Sequence, residues 1–301
     1  MQNKIPKFLC ENLIQQYGQE LTESIINGYS HARVMTLRVN NLKSNIDEIK
    51  NQLDKEQIEY EEVNWNKDAL IIKNANENDI RKLNIYDEGK IYLQSLSSMI
   101  PVVVLEPNAN ENILDMAAAP GGKTTQIASV TGDMALITAC EKNKIRAERL
   151  KYNIEKQGAK RINVMLEDAR NLSDYFSFDK ILLDAPCSGS GTLNIQDEKL
   201  EKYFTLELIK RAEKTQLQLL KKAVKILKTG HEMVYSTCSI LKSENEEIIK
   251  QVLKMGNVEI VPIDENLFKN IPLLPSTLEG TITVCPNQLY EGFFIAKLRK
   301  K

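Results

Sequence analysis

From residue 6 to 28 apolar side chains fall at Phe8, Leu9, Leu13, Ile14, Tyr17, Leu21, Ile25 and Ile26, a helical spacing interrupted near Gly18. One or two packed helices are expected there. The β-branched stretch 34–40 predicts a strand, and residues 45–55, with Ile46, Ile49 and Leu53 on one face, predict a helix. Further strands are expected at 60–63 and 69–72 around a turn at 64–68, then a short helix at 79–84 and a strand at 90–94. Together these form a β-α-β-β-α-β order, the split arrangement shared by many RNA-recognition modules. No RNP1-type aromatic signature accompanies it.

Beyond a helical stretch at 95–105 the pattern changes. Short apolar strands at 112–116, 135–139, 162–166, 180–183 and 233–236 alternate with amphipathic helices at 123–129, 143–157 and 206–227. A helix at 244–254 and a strand at 292–298 follow. This alternation predicts an α/β fold, a Rossmann-like doubly wound parallel sheet, beside the smaller N-terminal α/β domain. The division is expected between residues 1–90 and 91–301.

Composition narrows the classes. The 301 residues carry 40 basic and 41 acidic side chains, so net charge leaves no overall footprint for nucleic acid. A polyanion would need a local basic patch, expected at Arg33, Arg38 and Lys90 near the junction of the two regions. No apolar run is long enough to cross a bilayer and no signal-peptide pattern opens the chain, so a cytoplasmic monomer without membrane attachment is expected. Five cysteines without a C-x-x-C pair fit a reducing compartment, with neither zinc site nor disulfide framework. The two histidines, His31 and His231, lack metal-ligand spacing and read as structural, and no metal is expected.

The chemistry concentrates at strand ends. Ile181-Leu-Leu-Asp184-Ala-Pro-Cys187-Ser-Gly-Ser-Gly191 is a buried strand running into an acid, a proline, a thiol and a flexible loop. In open α/β sheets ligands gather beyond the carboxyl ends of such strands, although a strand cap followed by an ordinary turn has the same residues. Upstream, Asp115-Met is followed by Ala117-Ala118-Ala119-Pro120-Gly121-Gly122-Lys123, a small-residue loop opening a helix. It resembles a phosphate-cradling P-loop, but Ala117 stands where that pattern needs glycine and Pro120 removes an N–H from the cradle. A nucleoside lacking phosphates, such as S-adenosylmethionine, suits it better. Glu141, about twenty residues on at the next strand end, then meets the ribose, with Arg146 close behind it. Asp168 at the third strand end suits an adenine amino group or, alternatively, a helix N-cap. A second thiol, Cys238, ends the fifth strand in Ser-Thr-Cys-Ser. Cys10, Cys140 and Cys285 lack such a setting and read as packing residues.

Asp115-Met-Ala-Ala-Ala-Pro-Gly-Gly-Lys-Thr, Asp184-Ala-Pro-Cys-Ser-Gly and Ser236-Thr-Cys-Ser-x-x-x-x-Glu244-Asn-Glu246, in this order, resemble the RsmB/Sun-type RNA (cytosine-5) methyltransferases. Arg38-Val-Asn40, Tyr92-Leu-Gln94 and the closing 291–299 stretch agree, so the resemblance runs from about Arg38 to the end; Ala117 departs from it, many members having cysteine there. It implies an S-adenosylmethionine-dependent enzyme acting on ribosomal or transfer RNA. Residues 1–90 would be its RNA-binding region and 91–301 its catalytic domain. By the resemblance, Cys238 is the nucleophile toward carbon 6 of cytosine, Cys187 assists product release, Asp184 holds the base edge and Lys123 lies beside it. The cofactor would be held by the 117–123 loop, Glu141, Arg146, Asp168 and Asp184. A catalytically silent RNA-binding or ribosome-assembly factor keeping the same fold is the alternative, although both thiols are present. DNA methylation is disfavoured because DNA cytosine-5 enzymes attack with the Pro-Cys thiol.

Overall fold

A computed structural model describes residues 5–301 of the chain. Helix α1 (Lys7–Ser30) bends at Gly18, whose φ of 80° leaves the helical region. β1 (Thr36–Val39) leads to α2 (Ile46–Lys55), which starts where the Asn45 side chain accepts the Glu48 N–H. β2 (Tyr60–Val63) and β3 (Asn66–Ile72) form a hairpin tighter than the expected one, followed by α3 (Glu77–Arg81), α4 (Asn84–Asp87) and β4 (Ile91–Leu93). The four strands make an antiparallel sheet in the order β2-β3-β1-β4, as the split β-α-β pattern requires. Leu37, Val39, Ile49, Leu53 and Leu70 form its core.

α5 (Leu96–Leu105) then leads to β5 (Asn112–Asp115), α6 (Gly122–Val130), β6 (Leu136–Cys140), α7 (Lys144–Gln157) and β7 (Ile162–Met165). β8 (Phe178–Asp184), α8 (Leu200–Tyr203), α9 (Leu206–Ile226), β9 (Leu227–Thr237) and α10 (Glu246–Leu253) come next. β10 (Val258–Val261), β11 (Leu273–Leu274), β12 (Ile282–Val284) and β13 (Phe293–Lys300) close the chain. These strands form one sheet in the order β11-β12-β13-β9-β8-β5-β6-β7, with β10 also on β13. From β7 to β9 all pairings are parallel, but β13 runs antiparallel to β9, so the sheet is mixed where an all-parallel one is expected. Alternate residues serve opposite faces: Ile113 and Leu182 join the layer of α5, α6 and α7, while Leu114, Ile181 and Leu183 join that of α9 and α10. The chain leaves β5 toward β6 and returns on its other side as β8, which opens a crevice beyond Asp115 and Asp184.

Two features depart from the expected division at 90/91. β4 pairs with β1, so the small sheet extends through Leu93. α1 does not cover that sheet: Leu9, Leu13 and Ile25 pack instead with Phe204, Ile240 and Leu241 of the large domain. An amphipathic stripe specifies that a face is buried, not which partner buries it.

Candidate active site

The loop after β5 is held close to β6, with the Ala118 N–H donating to the Cys140 carbonyl over 2.9 Å. Gly121 enters α6 at φ 110°, and a Cβ there would lie 2.9 Å from Leu150 Cδ1, so glycine serves both conformation and clearance. Beneath the loop the Thr124 hydroxyl donates to Asp115 Oδ2 at 2.7 Å. Lys123 points from the first turn of α6 into the crevice, where its Nζ donates to Asp184 Oδ2 at 2.7 Å and Ser98 Oγ at 2.8 Å. The other oxygen of Asp184 accepts from Ser236 Oγ at 2.9 Å, and the Lys123 ammonium stands 5.2 Å from the centre of the Phe293 ring. A lysine and an acid are thereby fixed side by side on the floor of a cavity of about 370 Å³.

The residues expected to bind a cofactor divide between two spaces. Ala117, Ala118, Ala119, Pro120, Gly122, Lys123 and Asp184 line the cavity, as does Cys238. Ala117, Glu141, Arg146 and Asp168 line a narrow slot on the other side of the loop, flanked by Pro186 and Leu219. Ala117 borders both, and its methyl group is the only side chain it places between them. Gly121 lines neither and acts through the backbone. Glu141 is buried and takes the Asn143 N–H on Oε1 at 2.8 Å, leaving Oε2 with a 3.4 Å contact to Arg146. Arg146 also donates to the Ala119 carbonyl at 2.6 Å, which makes it a brace between loop and slot. Asp168 adopts the N-cap alternative: it caps the 3-10 turn Ala169–Asn171 and receives Arg170 Nε at 2.9 Å and Nη2 at 2.6 Å. Those bonds hold its carboxyl below the usual range. The slot's free volume, about 40 Å³, is far below the ~300 Å³ of ordinary ligand pockets. The partly exposed side chains of Arg146 and Arg170 border the slot.

The thiols meet at the opposite end. Cys187 Sγ lies 3.0 Å from Cys238 Sγ, a contact between free thiols well beyond the ~2.05 Å of a disulfide. Cys238 faces the cavity, whereas Cys187 stands behind it and does not line it. The hydrogen bond with Cys238, together with burial, pushes the Cys187 thiol well above its ordinary pKa, so it is neutral at pH 7. Glu244 binds the two loops together. Its fully buried carboxylate accepts Ser188 N–H at 2.8 Å and Ser188 Oγ at 2.5 Å on one side, and Ser239 Oγ at 2.7 Å on the other. Gln216 adds a fourth bond at 3.1 Å. The Gly191 N–H donates to the Cys238 carbonyl at 3.0 Å, and a Cβ on Gly191 would lie 2.0 Å from the Gly292 carbonyl oxygen. From behind, α1 anchors both loops: Tyr17 donates to the Ile240 carbonyl at 2.6 Å and Tyr29 to that of Ser190.

Asp115, in the wall of the cavity, and Glu244, between the two thiol loops, are site positions to which the sequence reading gives no role, although both stand inside the motifs; for Asp115 an acid ending a strand was the available signal. The remaining cysteines are packing residues as expected, Cys10, Cys140 and Cys285 all being buried, and burial pushes Cys140 up to about 12. His31 and His231 bond to the carbonyls of Asn27 and Asp179. Among the described residues no group of His, Cys, Asp and Glu forms a metal site, and no helix is long and apolar enough to cross a membrane. The expected basic surface is not formed. Arg38 is 2% exposed, Arg33 donates to the carbonyls of Asn287 and Tyr290, and Lys90 is paired with Glu48 and Glu88 at 2.9 Å each.

A parallel core with a small-residue loop after its first strand and acids at the next strand ends is the Rossmann-like fold of methyltransferases. The family model described as 16S rRNA methyltransferase RsmB/F matches residues 102–299, and that of the RsmF/B-like ferredoxin-like domain matches 5–79. The chain belongs to the RsmB/F methyltransferase family. It is 31% identical to the probable ribosomal RNA small subunit methyltransferase B of Bacillus subtilis, over 98% of this chain and 66% of that protein. It is 35% identical to the tRNA (cytosine(49)-C(5))-methyltransferase of Pyrococcus abyssi, over 88% of each. The crystal structure of NSun6 from Pyrococcus horikoshii with SFG superposes with a TM-score of 0.88 at 25% identity, over 100% of this chain and 99% of that one. The chain spans 57% to 66% of the length of several ribosomal RNA relatives.

Proposed function

We propose that the protein transfers a methyl group from S-adenosylmethionine to carbon 5 of a cytosine in RNA, through a covalent bond between Cys238 and carbon 6. The observation that carries this reading is the position of Cys238 in the wall of a cavity that also holds the Lys123–Asp184 pair, with a second, neutral thiol 3.0 Å behind it. Carbon 5 of cytosine is a poor nucleophile until a thiolate adds at carbon 6 and converts the ring to an enamine. Asp184 accepts from the exocyclic amine or a protonated ring nitrogen, and Lys123 fixes its orientation. A solvent base then takes the carbon 5 proton, and the C–H electron pair restores the double bond between carbons 5 and 6. The Cys238 thiolate leaves carbon 6, with the Cys187 thiol, 3.0 Å away, assisting by donating a hydrogen bond to the departing sulfur.

The residues of slot and loop suit S-adenosylmethionine: Glu141 Oε2, whose one partner among the described residues is the 3.4 Å contact with Arg146, would take the ribose hydroxyls, Pro186 and Leu219 offer apolar walls, and Ala117 borders both the slot and the cavity. Bound there, the cofactor supplies the electrophilic methyl that carbon 5 takes. The NSun6 crystal structure carries SFG, an analogue of this cofactor, which supports the assignment. Incubation of the full chain with methyl-labelled S-adenosylmethionine and total RNA, DNA or protein tests it. Label recovered as 5-methylcytosine in RNA alone is expected. Label in DNA or protein, or binding to RNA without any transfer, would defeat it.

A further inference from the structure

A second groove, of about 470 Å³, continues from the cavity across Tyr92 and Pro120, which line both. One wall is α7, where Arg149, Tyr152 and Lys156 fall three to four residues apart on one face. The other wall comes from the small domain, with Arg81, Tyr86 and Tyr92. Three cations and three tyrosines line this groove, and no carboxylate does. Tyr86 is clamped between Lys156 Nζ at 3.7 Å and the Arg81 guanidinium at 4.9 Å from its ring centre. Arg81 is partly neutralised by Glu77 at 2.5 Å, and Lys156 lies 3.9 Å from Asp87. Among the described residues Arg149 has no ion-pair partner, and Tyr152 is 61% exposed without an aromatic neighbour. In a chain of net charge −1, an exposed ring one helical turn from the unpaired Arg149, beside the reaction cavity, is a feature that solubility does not explain.

We infer that this groove holds the single-stranded nucleotides next to the target cytosine, with phosphates on Arg149 and Arg81 and a base stacked on Tyr152. The inference rests on the methyltransferase reading for the identity of the target, but not for the binding itself. A target base must leave its stack to reach Cys238, so the strand around it is locally unpaired and its neighbours present faces rather than edges. Arginine takes phosphate oxygens and tyrosine takes any base face, which makes the groove tolerant of sequence and sensitive to salt.

The test is an anisotropy titration of the full chain with a fluorescein-labelled twelve-residue oligocytidylate RNA at several salt concentrations, using Arg149→Glu, Arg149→Lys, Tyr152→Ala and, as a remote charge control, Lys254→Glu. Tyr152→Ala is expected to weaken binding about five- to a hundredfold. Arg149→Glu should weaken it at least fivefold and lower the slope of log affinity against log salt by about 1, while Arg149→Lys keeps the slope. Lys254→Glu should match the wild type within twofold, and all variants should keep its melting temperature and its S-adenosylmethionine affinity by calorimetry. Affinity within twofold of wild type for both Arg149→Glu and Tyr152→Ala, or an equal loss in Lys254→Glu, overturns the groove even if methyl transfer is normal. Groove-dependent binding without methyl transfer by any form would sink the enzymatic reading and leave the groove as an RNA site.

Discussion

Asp115 ends β5 with 1% of its surface exposed, in the wall of the cavity and beside a loop that offers it the Thr124 hydroxyl and the Ala117 N–H. Burial pushes its carboxyl up to about 6 from an ordinary 3.8, partly offset by the Thr124 bond. Between those values the folded chain holds a proton that the unfolded chain has released, so this residue's contribution to stability is present below about pH 4 and is lost as pH rises through 6. The loss amounts to about 2–3 kcal/mol. Denaturant unfolding of wild type and Asp115→Asn at pH 4 and pH 7 checks it: the stability of wild type minus that of the variant should fall by that amount. A difference independent of pH would show that Asp115 is not the titrating group. Residue identity alone conveyed such an acid only as a strand end. Arg38 was illegible for a related reason: an arginine between Leu37 and Val39 has the same pattern whether its guanidinium meets water or, as here, Gln94 at 3.0 Å and Thr125 at 3.1 Å across the domain boundary. Burial lowers that guanidinium to about 10, which marks the desolvation those bonds offset.

At the scale of elements, the thiols owe their meeting to two loops that leave neighbouring parallel strands, β8 and β9, in register at Asp184 and Ser236. Beyond the strands, Glu244 at the approach to α10 ties the loops together by accepting donors from both, beside the direct bonds from Gly191 N–H to the Cys238 carbonyl and between Ser190 and Ser239. Removing the carboxylate strands four buried or half-buried donors at once. Glu244→Leu is therefore expected to cost about 3–5 kcal/mol in denaturant unfolding, and Glu244→Gln, which keeps the shape and one acceptor, about 1–2 kcal/mol. Both variants matching wild type within 0.5 kcal/mol, the usual range of an ordinary surface change, would remove Glu244 as the clamp. The sequence motifs located both thiols and their order, because a thiol after an apolar run and among small residues is a local pattern. They did not disclose α1 as the strut behind the loops, since its bonds from Tyr17 to Ile240 and from Tyr29 to Ser190 span most of the chain.

At the scale of the molecule, the small sheet and the large one are joined by a polar clasp. Asn40 Nδ2 donates at 2.8 Å to the carbonyls of both Gly89 and Gln157, and Arg38 and Gln94 extend the contact to α6. Arg38-Val-Asn40 and Tyr92-Leu-Gln94, which read in sequence as parts of strands, thus supply contacts between the two sheets, and Tyr92 lines both the cavity and the basic groove. The alternation of elements made the parallel half of the sheet legible. Of the antiparallel half only β13 was, because β11 and β12 are too short for a period to register and β9 extends well before its apolar core.

The central claim concerns which thiol attacks, and denaturing gel electrophoresis of the chain after incubation with S-adenosylmethionine and radiolabelled RNA tests it most directly. Cys238 lines the cavity and Cys187 lies behind it, so Cys187→Ala should add to cytosine and then stall before release, leaving a protein–RNA adduct that survives denaturation. Cys238→Ala should form no adduct and transfer no methyl. A stable adduct with Cys238→Ala and none with Cys187→Ala would contradict the account.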